Sequence, residues 1–155
     1  MMKFLILNGP NLNMLGVREP DIYGRGTYDD LCRLISAHAA ARGVEVTFYQ
    51  SNHEGDLVDA IQRAYTDHLD GIVLNPAAYT HTSVALLDAV KATGIPTAEV
   101  HISDVRTREA FRQVSYVRAA CVYTVMGHGF AGYTEALDFL IDRAEGRRPE
   151  AGVCV

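Results

Sequence analysis

Lysine is almost missing from this sequence: of fourteen cationic residues only Lys3 and Lys91 are lysines. Lys3 opens the first apolar run and Lys91 falls late in a helix-period segment, so chemistry through a lysine imine has no placed nucleophile. Positive charge is scarce as a whole, and nineteen Asp and Glu outweigh it for a net charge of −5. No nucleic-acid partner is expected from that balance, and an anionic ligand must be held by a few placed arginines. Cys32, Cys121 and Cys154 are an odd set without metal-ligand spacing. They read as reduced thiols of a cytoplasmic protein. No apolar run approaches the ~20 residues of a membrane span, so no membrane partner is expected. Met1-Met2-Lys3 leads straight into a strand pattern, with an apolar run too short for a signal peptide and no cleavage site. A P-loop and a Gly-x-Ser-x-Gly elbow are both lacking.

What is present suits one domain. The 155 residues are 48% hydrophobic, without low-complexity stretches. A chain of this size buries about two-thirds of its unfolded surface. β-rich apolar runs at 3–7, 44–49, 71–74, 96–100 and 121–126 alternate with helix-period segments. A long Gly-, Pro- and Asn-rich loop spans 8–26. A helix then starts at Thr27, where Thr27-Tyr28-Asp29-Asp30 resembles a capping box. Its expected apolar face is Leu31, Leu34, Ile35 and Ala39, closed by Gly43. Leu57, Ile61 and Tyr65 mark a second helix and residues 82–93 a third, closed by Gly94. A short helix is expected near 107–112 and a last one over 132–145. The expectation is a flavodoxin-like, doubly wound, five-stranded parallel sheet of order 2-1-3-4-5 in a single domain, 1–146, with a loose tail at 147–155.

Sheets of this kind bind ligands outside the carboxyl ends of their strands. Here those ends read Asn8-Gly9-Pro10-Asn11, Asn75-Pro76, Glu99-Val100-His101 and Gly127-His128-Gly129. Glu99 and His101, two apart on one strand, point to the same face, where a carboxylate can orient an imidazole for acid–base work. The same spacing also fits a purely structural pair. Arg18 and Tyr23 share the first loop; a guanidinium near a phenol favours the phenolate, although spacing alone leaves both as ordinary loop residues. Asn75 and His81 flank the entry to the third helix, where capping is the plain alternative. The turn at His101-Ile102-Ser103 can form a backbone nest for a carboxylate, and Arg112 follows it. Gly127-x-Gly129-x-x-Gly132 follows the last strand and reads as a tight turn rather than a dinucleotide site. No local spacing among His81, Glu99, His101 and His128 supports a metal site.

Taken in order, these blocks carry a resemblance: Leu7-Asn8-Gly9-Pro10-Asn11-Leu12-Asn13, Arg18-Glu19-Pro20-Asp21-Ile22-Tyr23-Gly24, Gln50-Ser51-Asn52-His53-Glu54-Gly55-Asp56-Leu57, the run from Asn75-Pro76 through His81 to Leu86, Glu99-Val100-His101-Ile102-Ser103, Arg112 with Ser115-Tyr116, and Gly127-x-Gly129-x-x-Gly132-Tyr133. Over nearly the whole chain the set resembles type II 3-dehydroquinate dehydratases. The resemblance implies a cofactor-free and metal-free lyase that dehydrates the small molecule 3-dehydroquinate to 3-dehydroshikimate by anti elimination through an enolate. It implies Tyr23 as base with Arg18 holding its phenolate on a mobile lid, Asn11 supporting the enolate, and His101 as acid with Glu99 holding its tautomer. Asn75, His81 and Arg112 would bind substrate hydroxyls and the Ile102–Ser103 backbone the carboxylate. Asp88 would reach a neighbouring subunit's site in a homododecamer, a tetramer of trimers. The chain departs from the family pattern at Asp104 and Arg106, where Asn and His are usual, at Gln113 and Val114, at His128, and across 118–125. Two other readings stay open here: a paralogous lyase on a related hydroxylated ring acid, and a non-catalytic ligand-binding relative.

Overall fold

The computed structural model describes residues 1–17, 19–147 and 153–154, with the backbone alone at Tyr23, Val153 and Cys154. Arg18, the Tyr23 side chain and most of the expected tail therefore lie outside the described residues. The strands are β1 (Lys3–Asn8), β2 (Glu45–Gln50), β3 (Gly71–Asn75), β4 (Thr97–His101), β5 (Tyr123–Met126) and β6 (Val153–Cys154). All pair in parallel, in the order β2-β1-β3-β4-β5-β6. The first five reproduce the expected order. Two residues of the expected loose tail, Val153 and Cys154, add the short sixth strand beside β5.

Among the described residues, five helices connect the strands: α1 (Pro20–Tyr23), α2 (Tyr28–Arg42), α3 (Glu54–Thr66), α4 (Val84–Thr93) and α5 (Ala131–Ala144). Parallel pairing demands such crossovers, and they cover both faces of the sheet. Side chains alternate accordingly. Phe4 and Ile6 face the α2–α5 core with Val73 and Val100, whereas Leu5 and Leu7 face the α3–α4 core with Ile72 and Leu74. No helix among the described residues is long and apolar enough to cross a membrane.

Local chemistry sets the helix ends. Thr27 accepts from Asp30 N, and Asp30 accepts from Thr27 N, which is the expected reciprocal cap of α2. Ser83, not Thr82, caps α4, because residues 77–81 first form a tight turn of 3-10 helix. Two expected core positions are exposed: Leu34 at 43% and Tyr65 at 59%. Each sits at the margin of its apolar stripe; Leu31 and Ile35 fill that of α2, and Ala60, Ile61 and Ala64 that of α3. The short helix expected near 107–112 is replaced by 3-10 turns at Val105–Thr107, Ala110–Gln113 and Val117–Ala120. Asp104 accepts from Arg106 N, and Gln113 Nε2 donates to Val105 O at 3.0 Å. Such side-chain bonds to the backbone compete with a regular helix.

Candidate active site

Register brings the strand ends level: Asn8 lies beside Asn75, Leu74 beside Glu99, and His101 beside Met126. Gly9 follows β1 so closely against β3 that a Cβ there would lie 2.4 Å from Pro76 O. Only glycine allows that approach.

Glu99 and His101 do share one face of β4. Glu99 is fully buried, and its Oε2 lies 2.5 Å from His101 Nε2. Ser115 Oγ donates to the same oxygen at 2.8 Å. Arg118 donates from Nε to Oε1 at 3.0 Å and from Nη2 to Oε2 at 3.1 Å, and Thr124 Oγ1 lies 3.4 Å from Oε1. Burial alone would raise the Glu99 pKa. The hydrogen bonds and charges of His101 and Arg118 overcome it and hold the carboxyl at about 2. An ionised Glu99 accepts from Nε2–H, so His101 Nδ1 is the ring nitrogen open to a ligand.

His101 lines a cleft at the carboxyl edge of the sheet. Asn11, Asn75 and His81 line it too, with Ile102, Ser103 and Arg112. The structure thus gathers the expected site residues other than Arg18, Tyr23, Asp88 and the buried Glu99 behind His101. Asn75 is fixed by two bonds: its Oδ1 accepts from Ala77 N at 3.0 Å, and its Nδ2 donates to Tyr133 Oη at 2.8 Å. His81 Nδ1 lies 2.7 Å from Val114 O. A carbonyl only accepts, so Nδ1 carries the proton and Nε2 of a neutral His81 is an acceptor. Burial, only partly offset by the Val114 bond, holds the His81 pKa below its ordinary value, with His101 and Arg112 acting in the same direction. Arg112 Nε donates to Glu109 Oε2 at 2.7 Å. Gly127 N and Gly129 N donate to the His101 and Ile102 carbonyls, and Gly127, at φ +83°, adopts a backbone that disfavours larger residues.

Asp88 stands exposed on α4 and does not line the cleft. A second cavity adjoins the first through Ile102, Ser103 and Arg108, and Asp21, Ile22 and Gly24 border it. The segment carrying Tyr23 therefore runs along the mouth of the site. Sequence reasoning missed Arg108, which lines both cavities, and Arg118. For Arg108 the signal was thin, an arginine four residues before Arg112. For Arg118 no local signal exists, because its partner lies nineteen residues away. Among the described residues, no three His, Cys, Asp or Glu side chains cluster to hold a metal ion.

An amide-lined cleft at the strand ends of a parallel α/β sheet, backed by a buried carboxylate–imidazole pair, defines a class of small-molecule site suited to acid–base chemistry. The family described as dehydroquinase class II matches residues 2–141, and the chain belongs to that family. It is 56% identical over 138 residues to 3-dehydroquinate dehydratase of Corynebacterium glutamicum (strain R), covering 89% of this chain and 94% of that protein. The Clostridium acetobutylicum enzyme of the same name is 50% identical over 139 residues, covering 90% and 96%. The crystal structure of a type II dehydroquinase from Butyrivibrio crossotus superposes with a TM-score of 0.89 at 48% identity, over 90% of this chain and 97% of that one.

Proposed function

We propose that this protein dehydrates 3-dehydroquinate to 3-dehydroshikimate by an anti elimination through an enolate. The observation that carries the reading is the buried Glu99–His101 pair opening onto a cleft lined by Asn11, Asn75, His81 and Arg112, in a chain of the class II dehydroquinase family.

Tyr23 removes a proton from C2. A phenol is a poor base at its ordinary pKa of ~10, and a guanidinium beside it favours the phenolate, the role we assign to Arg18. The electrons of the C2–H bond pass to the ketone oxygen as an enolate, which Asn11 supports through a water. The enolate then expels the C1 hydroxyl. His101 gives that oxygen a proton, and water leaves. Glu99 fixes which imidazole nitrogen carries the proton. Asn75, His81 and Arg112 hold ring hydroxyls, and the Ile102–Ser103 backbone holds the carboxylate. Asp88 serves a neighbouring subunit's site in an oligomer built from trimers.

A steady-state assay tests the reading. Added 3-dehydroquinate gives rising enone absorbance, and turnover persists after borohydride treatment with substrate, because Lys3 and Lys91 are both exposed and away from the cleft. Absence of turnover by folded protein across a range of pH ends this reading in favour of a binding role. A borohydride-trapped lysine adduct overturns the enolate route.

A further inference from the structure

Glu99 holds an imidazole and a guanidinium at once. His101 reaches one of its oxygens, and Arg118 grips both from the Val117–Ala120 turn. Arg118 is not among the residues to which the family resemblance gives a role, and it reaches Glu99 across nineteen positions.

In the proposed cycle His101 carries its charge only while it is the acid, and the guanidinium carries its own throughout. During dehydration the C1–O bond breaks, its electron pair leaves with oxygen, and the His101 proton completes the water. His101 is then neutral until it takes a proton from solvent, while Tyr23 returns the C2 proton there. In that interval a fully buried Glu99 would be a carboxylate without a cationic partner, a state that burial strongly disfavours. A carboxyl so placed draws the Nε2 proton from the imidazolium and leaves His101 a neutral, much weaker acid at Nδ1. A guanidinium beside the carboxylate keeps its charge through the whole cycle.

We propose that Arg118 is a positioning residue for the acid: it keeps Glu99 ionised throughout the cycle, so that the His101 proton goes to the leaving hydroxyl. The inference rests on the dehydratase reading. Other groups around the pair do not supply this charge. Ser115 and Thr124 are neutral donors, and burial pushes the Cys121 thiol far up, with Glu99 adding to that rise. His81, Arg108 and Arg112 line the cleft with His101, whereas the side chains bonded to Glu99 are His101, Ser115, Arg118 and Thr124.

The test compares Arg118→Gln, which keeps a donor but loses the charge, with Arg118→Lys, which keeps the charge, both in the full chain and with thermal melts to establish folding. In Arg118→Gln, kcat falls about tenfold with KM nearly unchanged, and the alkaline limb of kcat/KM moves up by about one pH unit, because the pair loses a nearby positive charge. Arg118→Lys leaves the limb in place and recovers most of the turnover. The titration of the His101–Glu99 pair, followed by NMR of histidine-labelled protein without substrate, moves upward in Arg118→Gln alone. That readout needs no turnover, so failure of the substrate assignment and failure of this inference are separable. An unmoved limb and NMR titration in folded Arg118→Gln, or a limb that moves in Arg118→Lys, overturns the proposal.

Discussion

Tyr133, at the start of α5, donates its buried hydroxyl to Asn8 Oδ1 at 2.6 Å and accepts from Asn75 Nδ2 at 2.8 Å. The phenol thus ties the ends of β1 and β3 together behind the cleft, at the point where the connections diverge to opposite sides of β1. Tyr133→Phe keeps the ring and leaves two buried polar atoms, Asn8 Oδ1 and Asn75 Nδ2, without this partner. An unsatisfied buried polar group costs about 1–3 kcal/mol, so with two of them the variant should lose roughly 2–6 kcal/mol in urea unfolding at pH 7. Freed Asn75 should raise KM for 3-dehydroquinate more than it lowers kcat.

Glu99 links the site to acid stability. Its folded pKa of about 2 lies below the ordinary value of 4.5. A depressed carboxyl stabilises the fold above its unfolded pKa, and that contribution is lost as pH falls from about 4.5 towards 2. At neutral pH it amounts to roughly 3 kcal/mol. Urea unfolding of the parent and Glu99→Gln should therefore differ clearly at pH 7, with the gap narrowing at pH 3. A gap independent of pH would mean that packing, not charge, sets the effect.

Sequence periodicity carried most of the fold. Strands buried on both faces read as unbroken apolar runs, and Thr27 with Asp30 marked a helix start through chemistry confined to four residues. The Glu99–His101 pair was legible for the same reason, since two residues on one strand need no tertiary knowledge to face the same way. Legibility failed where partners are distant or turns are irregular. Arg118 reaches Glu99 from nineteen residues on, and Tyr133 reaches Asn75 across fifty-eight. The turns between β4 and β5 depend on Asp104 and Gln113 bonding to backbone, which no period encodes. Leu34 and Tyr65 looked like core because spacing locates a stripe but not its edges.

His81 should make substrate binding sensitive to mild acid. Its pKa is held down, so the neutral acceptor persists below the ordinary histidine value of 6.5 and is lost as pH falls further. KM should rise there while kcat changes less. His81→Ala should raise KM by up to about tenfold at pH 7, the size of one neutral hydrogen bond. A KM independent of both pH and this substitution would remove His81 from the substrate.

Asp104 places a carboxylate beside Ser103, where the substrate's own carboxylate is proposed to bind. Arg106 answers it through two bonds, Nε to Oδ1 at 3.0 Å and Nη2 to Oδ2 at 2.8 Å. The pair is internally neutral, which suits an unchanged anionic substrate rather than an altered one. Arg106→Ala should expose the repulsion and raise KM, and adding Asp104→Asn should restore it. Equal KM values in the single and double variants would show that the carboxylate binds elsewhere.

The division of labour between base and acid is tested most directly by hydrogen exchange at C2 of 3-dehydroquinate in deuterated water, measured beside dehydration in the same samples. Tyr23→Phe should abolish both, because no proton leaves C2. His101→Ala should lose dehydration by about 10²–10⁴-fold, the usual contribution of a placed acid, while C2 exchange continues. Near-normal exchange and turnover in Tyr23→Phe, or unimpaired dehydration in His101→Ala, would contradict the account.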